Sequence, residues 1–277
     1  MHPVEKALWF VESNSKSDLS LDDVASSCGL SRFALTRAFG PATGQSVMGY
    51  VRGRRLTEAA RALAAGAGDI LAVALDSGYG SHEAFTRAFR DHFGLTPEAV
   101  RAQGRLDGLK IIEPIRKEIM TQVELEPPQM RQHKTLLIAG FCERYTNETR
   151  AQIPAQWQRF APHIGSVPGQ VGFATYGVIF NTDDAGVCDY ICGVEVSGFG
   201  LVPKDWATLR IQERQYAVFH HRDHIASIHQ TFQAIWGQWA PSSGMVADGE
   251  PSFEVYRKAF NPMTGMGGVE IWVPVRG

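Results

Sequence analysis

The stretch SRFALTRAF occupies residues 31–39, and a near copy, SHEAFTRAF, occupies residues 81–89. Each copy begins with a serine suited to cap a helix and carries an apolar stripe at i and i+4: Leu35 with Phe39, and Phe85 with Phe89. Ahead of the first copy, Ser20 and Asp23 mark the start of a short helix that stops at Gly29. Ahead of the second, ILAVA at residues 70–74 is a compact apolar helix ending near Gly78, followed by Tyr79 and Gly80 as a turn. Two short helices meeting at a turn, written twice, read as two helix-turn-helix units.

Such a unit lays the first part of its second helix in the DNA major groove, so residues there are long or polar and free of core duties. The first copy offers Arg32, Phe33, Thr36 and Arg37 behind Ser31, and the second offers His82, Glu83, Thr86 and Arg87 behind Ser81. Arg37 and Arg87 fall at matching positions, where an arginine can grip guanine O6 and N7 with two hydrogen bonds. Phe33 reads equally as a contact to a thymine methyl or as a core-edge aromatic. Glu83 is repelled by phosphates unless it accepts from cytosine N4, which makes the first motif the expected larger contributor to affinity. Residues 32–61 hold six arginines against one acid, Glu58, an excess that suits phosphates or a solvated helix face.

The segment ALDSGYGSHEAFTRAFRDHFGLTPEAVR, residues 74–101, resembles the signature of AraC/XylS-type transcription regulators. Residues 4–104 are similar to their whole two-motif DNA-binding domain. The resemblance implies a long connecting helix over roughly residues 47–65, so that one chain enters two successive major-groove segments about one helical turn, roughly 34 Å, apart. On that helix Arg52, Arg54 and Arg55 become candidate phosphate contacts, and Arg55 with Leu56 is equally a candidate for packing between the two halves. It also implies double-stranded promoter DNA and RNA polymerase as partners.

A chain of 277 residues with 44% hydrophobic content has room for one or two domains, and its net charge of −2 does not decide about nucleic acid. No apolar run approaches the length that crosses a bilayer, so the expectation is a cytoplasmic protein with no membrane partner. Cys28, Cys142, Cys188 and Cys192 read as reduced, packed thiols. His220, His221, His224 and His229 crowd together without a ligand set at zinc spacing, and neither a GxSxG elbow nor a Walker-type glycine loop occurs. No metal, cofactor or catalytic residue is therefore expected.

Helical periodicity fades after Gly104, giving expected boundaries of a DNA-binding domain over residues 1–107, a linker over 108–119 and a second domain over 120–277. That second domain contains its own repeat. GFATYGVIFN at residue 172 overlays SFEVYRKAFN at residue 252, IAGFCER at residue 138 overlays YAVFHHR at residue 216, and GVEV at residue 193 overlays GVEI at residue 268. With Trp-containing helical stretches at 151–163 and 224–239, each half reads strand, helix, strand, strand. Alternation in the last strand sets Val269, Ile271 and Val273 beneath the helices and Glu270 with Trp272 on the other face. The same logic gathers Tyr176, Glu195, Glu254, Tyr256, Glu270 and Trp272 on one sheet face as a candidate ligand groove, against the alternative of an ordinary wet face.

Residues 120–277, through FEVYRKAFNP at residue 253 and VEIWVPV at residue 269, resemble the GyrI-like effector-binding domain. The order of parts resembles Rob-type regulators. The fold class implied is multidomain: an all-α tandem helix-turn-helix domain followed by an α+β GyrI-like domain of two strand-helix-strand-strand repeats. In such domains an acid within an aromatic groove meets the ligand, which favours Glu195 and Glu270 ahead of Glu254. The function implied is a sequence-specific transcription regulator, not an enzyme, controlled by a small amphipathic or cationic effector. The alternative is a GyrI-like small-molecule hydrolase or drug-sequestering module.

Overall fold

A computed structural model describes residues 3–15, 17–115, 124–246 and 249–276. The first half is helical: α1 (Pro3–Ser13), α2 (Leu21–Cys28), α3 (Arg32–Thr43), α4 (Val47–Ala64), α5 (Ile70–Asp76), α6 (His82–Phe93) and α7 (Pro97–Gln103). The serines identified in the sequence start these helices as expected. Ser20 and Asp23 close a capping box on α2, Ser31 accepts from the Ala34 N–H, and Ser81 accepts from the Ala84 N–H. Gly29 ends α2 at φ 72°, a left-handed conformation that admits glycine at little cost and turns the chain into α3.

The connecting helix α4 serves two cores. Its start, with Val47 and Tyr50, packs with Leu35 and Phe39, whereas its later part, with Leu56, Ala60 and Leu63, packs with Phe85, Phe89 and Val100. The residues expected as a linker are described up to residue 115, and there they lie strapped along α4. The Ile112 N–H donates to Thr57, Arg54 donates to the Ile112 carbonyl, and the Ile115 N–H donates to the Tyr50 hydroxyl. Residues 116–119 of that stretch lie outside the described residues.

This strap assigns the arginines of α4 different work. Arg54 is buried, paired with Glu12 at 2.9 Å and Glu58 at 3.2 Å, and Arg55 donates to the Ser15 carbonyl at 2.9 Å, while Arg52 points to solvent. Arg54→Ala should therefore lower stability by about 3 kcal/mol, because it strands a partly buried carboxylate. Arg52→Ala should leave stability within about 0.5 kcal/mol; for the phosphate contact expected of Arg52 from the sequence, it should also weaken every duplex alike and flatten the salt slope by about 1. Thermal melts and salt-titrated DNA binding of both variants separate the roles.

The second half is an eight-stranded antiparallel sheet. Its elements are β1 (Gln129–His133), β2 (Leu136–Tyr145), α8 (Ile153–Phe160), β3 (Gln170–Phe180), β4 (Cys188–Val196), β5 (Ala207–Ile211), β6 (Arg214–His221), α9 (Ile228–Ala234), β7 (Ser252–Tyr256) and β8 (Val269–Pro274). Helix α9 runs on through a π-helical turn, Ile235–Trp239. The strand order β1-β6-β8-β7-β3-β4-β2-β5 contains the two expected repeats, β2-α8-β3-β4 and β6-α9-β7-β8, meeting at β3 and β7. Two short strands add to that reading: β1 precedes the first repeat but pairs with β6 of the second, and β5 precedes the second but pairs with β2 of the first. The halves are interlocked by this exchange.

Register corrects the expected single groove. Residues directly opposite in an antiparallel pair share a face. Phe253 lies opposite Trp272 and Val255 opposite Glu270, whereas Glu254 lies opposite Ile271 and Gly177. Glu254 and Tyr256 therefore face the helices with Ile271, while Tyr176, Glu195, Glu270 and Trp272 share the other face. The repeat overlay aligned Tyr176 with Tyr256, but β3 places Thr175 opposite Tyr256 and carries a bulge between Gln170 and Thr175. An odd offset of one residue flips every side chain of a strand.

Candidate DNA-reading helices and effector enclosure

The two candidate reading helices, α3 and α6, differ in exposure. On α6, Glu83, Arg87 and Arg90 are exposed, and together with His82 and Thr86 they line one open concavity of about 380 Å³. His82 also approaches Glu98 at the start of α7, at 3.3 Å. Phe85 and Phe89 point the opposite way into the core, so the amphipathic stripe predicted from the sequence holds the candidate reading face outward.

Helix α3 presents the same face to the C-terminal domain instead. Arg37 is only 7% exposed; its guanidinium donates to Ser252 Oγ of β7 at 2.8 Å and to Thr182 Oγ1, just after β3, at 3.1 Å. It lies 4.6 Å from the Phe33 ring centroid and 4.9 Å from that of Trp236, and Phe33 meets Trp236 edge-on at 5.6 Å. Arg32 pairs with Asp184 in the loop after β3 and with Asp22. Gln233 of α9 donates to the Pro41 carbonyl. Both Arg37 acceptors are neutral, Arg37 Nε and Thr36 Oγ1 are buried without a hydrogen-bond partner, and burial draws the guanidinium down to about 10. Of the expected first-motif residues, Ser31 and Arg32 are exposed, Phe33 is half-buried, and Thr36 and Arg37 are covered.

On the helix face of the sheet, Glu254 is 5% exposed, and the hydroxyls of Tyr190 and Tyr256 both donate to its Oε2 at 2.8 Å. Trp157 of α8 donates its indole N–H to the Tyr190 hydroxyl at 3.0 Å and packs edge-on against Tyr256 at 5.1 Å, and Phe260 also packs edge-on against Tyr256 at 4.9 Å. The result is a carboxylate floored by tyrosines and walled by aromatic rings. Burial raises its ionisation to about 6 despite both hydroxyl hydrogen bonds, and burial with the neighbouring carboxylate drives both tyrosines well above their ordinary value. Gly177, directly opposite Glu254, leaves the space that the Tyr190 hydroxyl and the carboxylate occupy, since a Cβ there would meet the hydroxyl at 2.1 Å.

The other face holds the remaining four candidates in a different arrangement. Glu270 receives two hydrogen bonds from Arg257, at 2.8 and 3.0 Å, one from the Trp272 indole at 3.0 Å and an ion pair with Arg131 at 3.4 Å. Burial opposes its ionisation, but the bonds from Arg257 and Trp272 outweigh it and hold the carboxyl below its ordinary value. Its negative charge is thus already answered by two guanidinium groups. Glu195 accepts from Tyr176 at 3.3 Å, and the Tyr176 ring packs against Phe253, which stacks on Trp272.

Sequence reasoning missed Tyr190 and Trp157. Tyr190 keeps period-two step with Cys192 and Val194, which places it on the helix face; that alternation was the available signal.

Residues 126–276 match the GyrI-like small molecule binding domain, and residues 17–103 match a helix-turn-helix domain. The transcriptional regulator Rob of Salmonella typhimurium is 36% identical over 172 residues, 60% of this chain and 58% of that protein. The right origin-binding protein of Escherichia coli is 36% identical over 121 residues, 44% of this chain and 42% of that protein. The matched part thus spans about half the length of these curated relatives. Among solved structures, SAV2435 bound to tetraphenylphosphonium is similar with a TM-score of 0.48 and 18% identity, over 55% of this chain and 95% of that one.

Proposed function

Because the chain belongs to the GyrI-like small-molecule-binding family, with an AraC-type helix-turn-helix domain ahead of it, we propose that it is a transcription regulator controlled by a small lipophilic cation. Double-stranded promoter DNA and RNA polymerase are the proposed macromolecular partners, and the cytoplasm the proposed location. The observation that carries the DNA reading is the duplicated, serine-capped second helix, with Arg37 and Arg87 at equivalent positions. Arg32, Phe33, Thr36 and Arg37 read bases through one motif and His82, Glu83, Thr86 and Arg87 through the other, with Ser31 and Ser81 fixing the helix starts and Arg52 on phosphate.

The effector class rests on the Glu254 enclosure. A buried carboxylate with no cation beside it among the described residues, ringed by Tyr190, Tyr256 and Trp157, offers charge pairing and π-faces to one guest at once. Tyr176, Glu195, Glu270 and Trp272 line the opposite face and stand as a secondary ligand surface, weakened by the arginines on Glu270.

The test is binding of the purified protein to DNA flanking its own gene, titrated across salt, with and without tetraphenylphosphonium. Specific, salt-sensitive binding that the cation shifts is expected. Absence of specific binding, together with turnover of a hydrolysable small molecule by the protein, would replace this reading with the hydrolase one.

A pH dependence follows from Glu254. A cation needs the ionised carboxylate, and the acid ionises near pH 6. Affinity for tetraphenylphosphonium should therefore be flat above about pH 7 and fall roughly tenfold per unit well below pH 6, where binding must first expel a proton. Calorimetry between pH 5 and 8 measures this.

A further inference from the structure

Building on the regulator reading, we propose that the C-terminal domain clasps α3 in a closed form that withholds the first motif from DNA, and that filling the Glu254 enclosure opens the clasp through β7.

The clasp is made from the DNA-reading atoms themselves. Ser252 and Thr182 take the Arg37 guanidinium, Asp184 takes Arg32, and Trp236 takes Phe33. A guanidinium held on two hydroxyls cannot also present its fork to guanine, and Thr36 and Arg37 are covered by the domain that holds them. Helix α6 is open, so closure withholds one motif and leaves the other exposed.

The contact is also poised for release. Arg37 has no acidic partner within ion-pair distance among the described residues, and its Nε and the neighbouring Thr36 hydroxyl are buried unpaired. Buried polar groups left unsatisfied oppose the closed form. Guanine and phosphate oxygens offer these donors stronger acceptors than two hydroxyls do. Trp236 sits in the π-helical turn, a type of irregularity that recurs at functional sites.

The link to the effector is short. Ser252 and Glu254 stand two residues apart on the same face of the five-residue strand β7. Ser252 holds Arg37 while Glu254 is held by Tyr190 and Tyr256. On the neighbouring strand, Gly177 and Ile179 lie opposite Glu254 and Ser252, and β3 then leads to Thr182, the second anchor of Arg37. A guest entering between Trp157 and Tyr256 displaces the side chains packed on the strand and turn that carry both anchors.

The experiment compares the full-length protein with the double variant Thr182→Val, Ser252→Ala, which deprives Arg37 of both acceptors without changing charge or touching a DNA-reading residue. Amide hydrogen exchange of residues 32–43 and affinity for the flanking DNA are measured on each, with tetraphenylphosphonium as probe. The closed form predicts faster exchange in α3 and about tenfold tighter cation-free DNA binding in the variant. It also predicts faster α3 exchange when the cation binds the wild type, with loss of that response in Glu254→Gln. Unchanged α3 exchange in the double variant overturns the clasp, and cation binding that leaves α3 exchange unchanged overturns the coupling. If specific DNA binding is absent throughout, the regulator reading fails, while the exchange comparison still decides the clasp.

Discussion

Glu254→Gln should weaken binding of tetraphenylphosphonium by about 100-fold while leaving the fold intact. Removing one member of a desolvated charge pair costs about 2–5 kcal/mol, and 100-fold, about 2.7 kcal/mol, lies in the lower part of that range. Glutamine is nearly isosteric, and its amide oxygen still accepts from Tyr190 and Tyr256, so the hydroxyl network survives the change. The sign of the stability effect is informative. Burial raises the folded-state ionisation of Glu254 to about 6, above the ordinary 4.5, so the native protein binds this proton more tightly than the unfolded chain. Its carboxylate then lowers stability as pH rises through that window, and the neutral glutamine variant should melt no lower than the wild type at pH 8. Glu270→Gln is the control. It faces the other side of the sheet against Arg131 and Arg257, and there the change should lower the melting temperature with little effect on the cation. Full cation affinity in Glu254→Gln, with loss in Glu270→Gln, would move the effector site to the opposite face.

That contrast marks where the sequence was legible. The serine caps and the apolar stripes of Leu35 with Phe39 and Phe85 with Phe89 come from local propensity, the extent of α4 from the family resemblance, and the structure reproduces each of them. The two strand-helix-strand-strand halves were equally visible, because internal repeats survive in apolar pattern. Strand register was not, since it depends on pairing across the sheet: the bulge in β3 and the exact partner of Glu254 are non-local. Strands β1 and β5 escaped for a related reason. They are five-residue edge strands, and each joins the half it does not precede. The covering of α3 was hidden by chemistry rather than pattern: arginine, phenylalanine and threonine serve a DNA groove and a protein interface equally well.

Trp236→Ala should lower stability by about 3–5 kcal/mol, a large loss for one substitution. The indole is 1% exposed and belongs to a single apolar cluster that runs from Val4, Leu35 and Phe39 of the helical half to Phe219, Ile271 and Val273 of the sheet. Its π-helical backbone is unusual among the helices here, and that extra residue per turn brings the ring against Phe33 and Arg37. Truncation leaves a cavity that the surrounding strands and helices close only in part, and it removes the face over which Arg37 is buried. The shared cluster predicts that the first helix-turn-helix unit and the sheet unfold together in the wild type. With Trp236 gone, calorimetry should show a lower melting temperature and a broader transition, because the largest side chain packed between the two halves is lost while Phe232 and Ile235 still link them. A variant that melts at the wild-type temperature would mean that Trp236 contributes nothing to that junction and that Phe232 and Ile235 carry its apolar part.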